Sequence, residues 1–192
     1  MILSVVSIKG GVGKTTSAAC LAVALSAFGT VRSIDSDPQG ALDLWARMAG
    51  PGFPETVTSI GGRLTPAMTA GVDFVVIDTP PSDPITLARA VDAADAVIVP
   101  TSPSDGDVTR TLVLADQLSS QGIPATVLLT AAQTGTLATR RALETLSDLP
   151  EGIILYEHLV PFRQHFLSMY GTIPKPSQLH PYDLIARELQ ES

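Results

Sequence analysis

The sequence predicts an α/β fold: a doubly wound, mostly parallel sheet flanked by helices. Three observations lead there. Short continuous runs of aliphatic and β-branched residues recur along the chain, and such runs are typical of strands buried on both faces of a parallel sheet. Helical segments lie between them, and strands that run parallel need such crossovers. The first run also ends in a glycine-rich turn directly before a helical segment, an order that aims backbone N–H groups at an anion.

In chain order, the predicted strands are residues 2–8, 31–34, 74–77, 96–99, 125–129 and 152–155. The helices between and after them are residues 15–28, 40–48, 84–93, 107–121, 137–146 and 181–189. Residues 50–62, with PGFPE near their start, are the least regular stretch and read as a surface excursion. Repeats, low-complexity tracts and long linkers are lacking, so residues 1–192 are expected to form a single domain.

Composition narrows the function classes. Apolar residues make up 45% of the 192 and charged residues 16%, with 15 Gly and 15 Pro, which is a globular balance. Twelve Lys and Arg against 19 Asp and Glu give a net charge of −7, which opposes constant attachment to nucleic acid or anionic lipid. Cys20, the single cysteine, excludes an internal disulfide and an iron–sulfur centre held by one chain. A reducing cytoplasm fits. The apolar start MILSVVSIKGG lacks a basic n-region, and no stretch approaches the roughly 20 apolar residues of a membrane span. A soluble cytoplasmic protein without membrane attachment is expected.

The strongest motif is Lys9–Thr16, KGGVGKTT, between the first strand and the first helix. Gly10, Gly11 and Gly13 let the backbone bend around Val12 so that successive N–H groups face one phosphate. Lys14 then reaches the β and γ phosphates, Thr15 offers its hydroxyl to magnesium, and Thr16 donates to the α phosphate. The usual leading glycine of such loops is replaced by Ile8, and Lys9 is a second cation that a single-chain cradle does not need.

KGGVGKTT resembles the deviant Walker A motif of the ParA/MinD family of ATPases. The resemblance implies a P-loop NTPase fold, ATP or ADP with Mg2+ as ligands, and a nucleotide-sandwich homodimer in which Lys9 crosses to the partner's phosphates. It gives Ser33–Trp45, SIDSDPQGALDLW, the place of switch I. By that match Asp37 orients the attacking water and helps hold magnesium through water, while Asp35 supports it. An Asp-Pro turn capping the next helix is the plainer reading of Asp37 and Pro38. DFVVIDTPPS, Asp73–Ser82, has the form of a Walker B strand, with Asp78 on a magnesium-bound water and Thr79, Pro80 and Pro81 as switch II. The segment AVIVPTSPSDGDVTRTL is similar to one that leads to the dimer face in small partition ATPases. Asp105 or Asp107 is expected to be the N-cap of its helix.

Nearer the C-terminus, LVPFRQHFLSMYG is similar in position to the family's adenine loop, which makes Pro161 and Phe162 candidates for the base. Arg140, Arg141, Arg163, Lys175 and Arg187 are the residues from which a DNA patch could be drawn, and a solvated face accounts for each equally well. His158 and His165 are expected to pack or hydrogen-bond, because no second metal ligand stands at a useful spacing. The acidic C-terminus PYDLIARELQES disfavours a membrane-cycling branch, and Cys20, inside the first helix, disfavours branches with interfacial cysteines.

What remains resembles the short ParA proteins of plasmid or chromosome partition, which lack an N-terminal DNA-binding extension. Their cycle implies slow ATP hydrolysis, nonspecific DNA binding by the ATP dimer, nucleoid association in that state, and stimulation by a centromere-binding, ParB-like adaptor. The alternatives are a dethiobiotin-synthetase-like ligase of the same fold and a nucleotide-gated ATPase that positions another cargo.

Overall fold

A computed structural model describes residues 1–191, with all side chains but those of His165 and Leu167. Seven strands form one sheet: β1 (Ile2–Val5), β2 (Val31–Asp35), β3 (Glu55–Thr58), β4 (Phe74–Asp78), β5 (Ala96–Thr101), β6 (Ala125–Leu129) and β7 (Ile153–Leu155). Their order is β3-β2-β4-β1-β5-β6-β7, and every pairing is parallel. The chain leaves β1 for β2 and later fills the gap with β4. That reversal opens a crevice at the carboxyl end of β1, where open α/β sheets bind ligands.

Both faces of the sheet are covered, which is why its strands read as continuous apolar runs. Leu3, Val5, Val76, Ile98 and Leu128 face α1 (Lys14–Leu25), α2 (Ala41–Ala49) and α8 (Tyr182–Glu191), while Val97, Val99, Val127 and Leu129 pack with α5 (Asp105–Ser120) and α6 (Leu137–Leu146). Ile34, Val75 and Ile77 meet Ala90 of α4 (Pro84–Asp92). α1 is the central helix: Ala18, Ala19, Cys20, Leu21 and Ala22 are all buried between the sheet and its neighbours. Burial pushes the Cys20 thiol pKa up and leaves it un-ionised.

Several boundaries differ from the sequence reading. β1 stops at Val5 rather than residue 8, because its neighbour β4 ends opposite it at Asp78. The irregular stretch 50–62 contains the edge strand β3, whose Glu55 is paired with Arg32 at 2.8 Å. The same guanidinium donates to the carbonyls of Ala67, Met68 and Ala70, tying down the short helix α3 (Pro66–Thr69). A further short helix, α7 (Gln164–Ser168), precedes α8. α5 is capped by Ser104, whose hydroxyl accepts the Asp107 N–H, so Asp105 and Asp107 lie in its first turn rather than at the cap.

Candidate functional site

The first turn of α1 has no side-chain cap, and Gly13 before it sits at φ 88°, a left-handed conformation that favours glycine. Gly11 is also left-handed, at φ 80°. The uncapped helix start lies beside a cavity of about 300 Å3 lined by Gly10, Gly11, Gly13, Lys14, Thr15, Thr16, Asp37 and Pro81. Six of these eight come from KGGVGKTT. Asp37 and Pro81 are brought in from the ends of β2 and β4, as parallel register requires: Asp35 lies opposite Asp78.

Lys14 is nearly buried, and its ammonium donates to the Lys9 carbonyl at 2.8 Å. Burial holds its pKa below the usual lysine value, opposed by the charges of Asp78 and Asp37. The Thr15 hydroxyl donates to Asp78 Oδ2 at 2.7 Å. Asp78 is fully buried, and its carboxyl is pushed up to about 7, chiefly by desolvation. Its Oδ1 has no hydrogen-bond partner. A buried carboxylate oxygen left unpaired is costly, and a hydrated divalent cation held from Thr15 would satisfy it, so these residues fit magnesium. No group of three His, Cys, Asp or Glu among the described residues is arranged to hold a metal. The remaining ligands would therefore be phosphate oxygens and water.

Asp35 organises the loop after β2. Its two carboxylate oxygens accept the Asp37 N–H at 3.0 Å and the Asp43 N–H at 2.9 Å, and burial raises its pKa. Asp37 accepts the Gln39 N–H at 2.9 Å. The loop after β4 is held by Thr79, whose hydroxyl donates to the Val5 carbonyl, and by Ser82, whose hydroxyl donates to the Ile8 carbonyl. Lys9, just before the glycine turn, is half-exposed, with Nζ 3.8 Å from Asp107.

A second cavity of about 240 Å3 shares Gly11, Gly13 and Thr16 with the first and adds Val12, Pro161 and Phe162. Hydrogen bonds between Ala132 and residues 160 and 162 hold that wall in place. Sequence reasoning overlooked Thr130, whose hydroxyl is shared between the carbonyls of Val12, at 2.8 Å, and Thr101, at 3.0 Å. A polar residue at the carboxyl end of an apolar run was the available signal. Arg163 and Phe166 also line this cavity. The other basic candidates are spread over three further places: Arg140, 4.0 Å from Glu144, and Arg141 on α6, Lys175 before a short turn, and Arg187 on α8. His158 contacts Glu157 and stacks obliquely near His180, while the His165 side chain lies outside those described.

The family model for the CobQ/CobB/MinD/ParA nucleotide binding domain matches residues 3–166. The chain belongs to this family. The resemblance carried by KGGVGKTT is thereby borne out. Among curated proteins, the chain is 41% identical over 112 residues to maintenance of carboxysome distribution protein A of Gloeobacter kilaueensis, covering 56% of this chain and 51% of that one. The chain spans about half the length of the curated relatives it matches. Among solved structures, a plasmid partition protein from Borrelia burgdorferi superposes with a TM-score of 0.71 at 19% identity, over 99% of this chain and 97% of that one. The septum site-determining protein MinD of Pyrococcus horikoshii, complexed with Mg-ADP, gives 0.69 at 19% identity over 98% and 95%. Both likenesses establish the P-loop fold of the CobQ/CobB/MinD/ParA family. No helix among the described residues is long and apolar enough to cross a membrane.

The buried charge at Asp78 has a measurable consequence for this family member. Its folded pKa lies above the unfolded value, so ionisation costs stability as pH rises from about 4 to about 7. Asp78→Asn is expected to stabilise the nucleotide-free chain by about 1–2 kcal/mol at pH 8 and by nothing at pH 4. Urea unfolding at the two pH values checks this; equal stability at pH 8 would mean that Lys14 fully compensates the carboxylate.

Proposed function

We propose that the chain is a ParA-type, magnesium-dependent ATPase that dimerises on ATP and uses the cycle to position a cargo. The observation that carries the reading is the placement of two lysines at opposite ends of one glycine turn. Lys14 is buried in the uncapped first turn of α1, and Lys9 is half-exposed beside Asp107.

In this reading Gly10, Gly11, Val12 and Gly13 cradle the phosphates with their backbone N–H groups. Lys14 exchanges the Lys9 carbonyl for β and γ phosphate oxygens, and Thr16 donates to the α phosphate. Thr15 directly, and Asp78 and Asp37 through water, would hold magnesium, which would neutralise phosphate charge. Asp37 orients the attacking water. Pro161 and Phe162 form the wall against adenine. Lys9 reaches the partner's phosphates, supplying charge that only dimerisation brings close. Hydrolysis is slow until an adaptor protein docks.

The name of the Gloeobacter relative favours distribution of a protein assembly as the cargo. Segregation of plasmid or chromosomal DNA through a ParB-like adaptor is the other cargo reading, favoured by the Borrelia partition protein. In both, nonspecific DNA is the track. A net charge of −7 makes such binding weak, salt-sensitive and conditional on pooling arginines in the dimer. MgATP at low salt is expected to produce a dimer retained on nonspecific duplex, whereas MgADP is not. A dimer that ignores DNA would remove the partition and track reading, and a monomer in MgATP would remove the sandwich. Asp37→Ala is expected to slow turnover at least about 100-fold and accumulate the ATP dimer; unchanged single-turnover rates would assign the water to another group.

A further inference from the structure

We propose that residues 161–172 form a strap that couples filling of the base cavity to the position of Asp37, with Tyr170 and Trp45 as its positioning residues. The inference rests on the nucleotide reading above and adds a mechanical link within it.

The first part of the strap is the cavity wall itself: Pro161, Phe162, Arg163 and Phe166 line it. Phe162 is half-exposed there, at 50%, a ring with room to move against a ligand. The far part is fastened to α2 at three points. The Tyr170 hydroxyl donates to the Ala41 carbonyl at 2.9 Å. Trp45 Nε1 donates to the Thr172 carbonyl at 2.7 Å, and its ring lies 5.1 Å from that of Tyr170. Gly171, at φ 74°, lies so close to α2 that a Cβ there would fall 2.8 Å from Met48 Cβ. Trp45 and Met169 are buried, at 1% and 2% exposure, so strap and helix have no slack between them.

From α2 the connection to Asp37 is short and hydrogen-bonded. The Gly40 N–H donates to the Asp37 carbonyl at 2.9 Å, and Asp35 ties the Asp37 and Asp43 N–H groups to one carboxylate. Movement of the wall therefore reaches Asp37 through packed, hydrogen-bonded contacts rather than through solvent. A base in its cavity biases the loop that orients water, and a bare polyphosphate lacks that lever.

Trp45 is the single tryptophan of the chain and reports on the strap directly. MgATP is expected to change its emission, while magnesium tripolyphosphate, shown to occupy the loop by competition with ATP, leaves it unchanged. Tyr170→Phe removes the bond to Ala41 but keeps the ring. It is expected to retain ATP affinity within about threefold, weaken the Trp45 response, and lower kcat about fivefold, the rate equivalent of one hydrogen bond. A Trp45 emission that is silent to bound ATP, or equal for ATP and tripolyphosphate, overturns the strap while leaving the ATPase reading intact. So does a Tyr170→Phe variant that loses thermal stability with its kcat and Trp45 response unaltered. Absence of ATP binding overturns the nucleotide reading and the strap together.

Discussion

Lys14→Ala is expected to reduce ATP affinity at least about 100-fold, or roughly 3 kcal/mol. The ammonium is nearly buried and already oriented, donating to the Lys9 carbonyl across the glycine turn. Its positive charge in a site shielded from water makes each bond to a phosphate oxygen stronger than a neutral one. The substitution should not unfold the chain, because alanine is a good helix former at the first position of α1. Calorimetric titration with MgATP, beside a circular dichroism melt, separates the two effects. Tight ATP binding by a folded Lys14→Ala protein would place the phosphates elsewhere.

Lys9→Ala should behave in the opposite way. The variant keeps the backbone carbonyl that receives Lys14 and loses only a half-exposed side chain facing Asp107. Asp107 is itself held by the Ser102 hydroxyl at 2.6 Å, so the fold around it survives. ATP affinity is expected to stay within about threefold, while adaptor-stimulated hydrolysis falls about 1000-fold, as it does when a transition-state cation is withheld. Mixing decides between a role in the same protomer and one across the dimer. Alone, neither Lys9→Ala nor Asp37→Ala is expected to reach the stimulated rate, yet a mixed dimer gives the Lys9→Ala protomer an intact Asp37 of its own and a Lys9 from its partner. Restored turnover on mixing supports the trans role; continued inactivity confines Lys9 to its own chain.

The glycine turn before α1 was legible because its determinants are local. Consecutive glycines, Lys14 and the two threonines lie within one turn, and their conformational demands are written in residue type. Asp37 and Asp78 were legible for a related reason: each ends or follows an apolar run, and parallel strands deliver their carboxyl ends to one edge. β3 was missed because ETVT is only four residues at the sheet edge, and its pairing depends on β2 rather than on its own composition. The cap of α5 went to Ser104 instead of an aspartate, a shift that frees Asp107 to meet Lys9.

By itself the sequence determined the parallel α/β class, the glycine turn before α1 and the aspartates at or just past the strand ends, since periodicity, glycine freedom and carboxylate placement are short-range properties. Tertiary structure alone decided that Thr130, just past the end of β6 and 118 residues from Val12, braces the loop. It also decided that Asp78 keeps one oxygen unpaired and that residues 161–172 are bound to the helix behind Asp37. Those relations depend on which distant segments share the crevice beside β1, and long-range packing sets that.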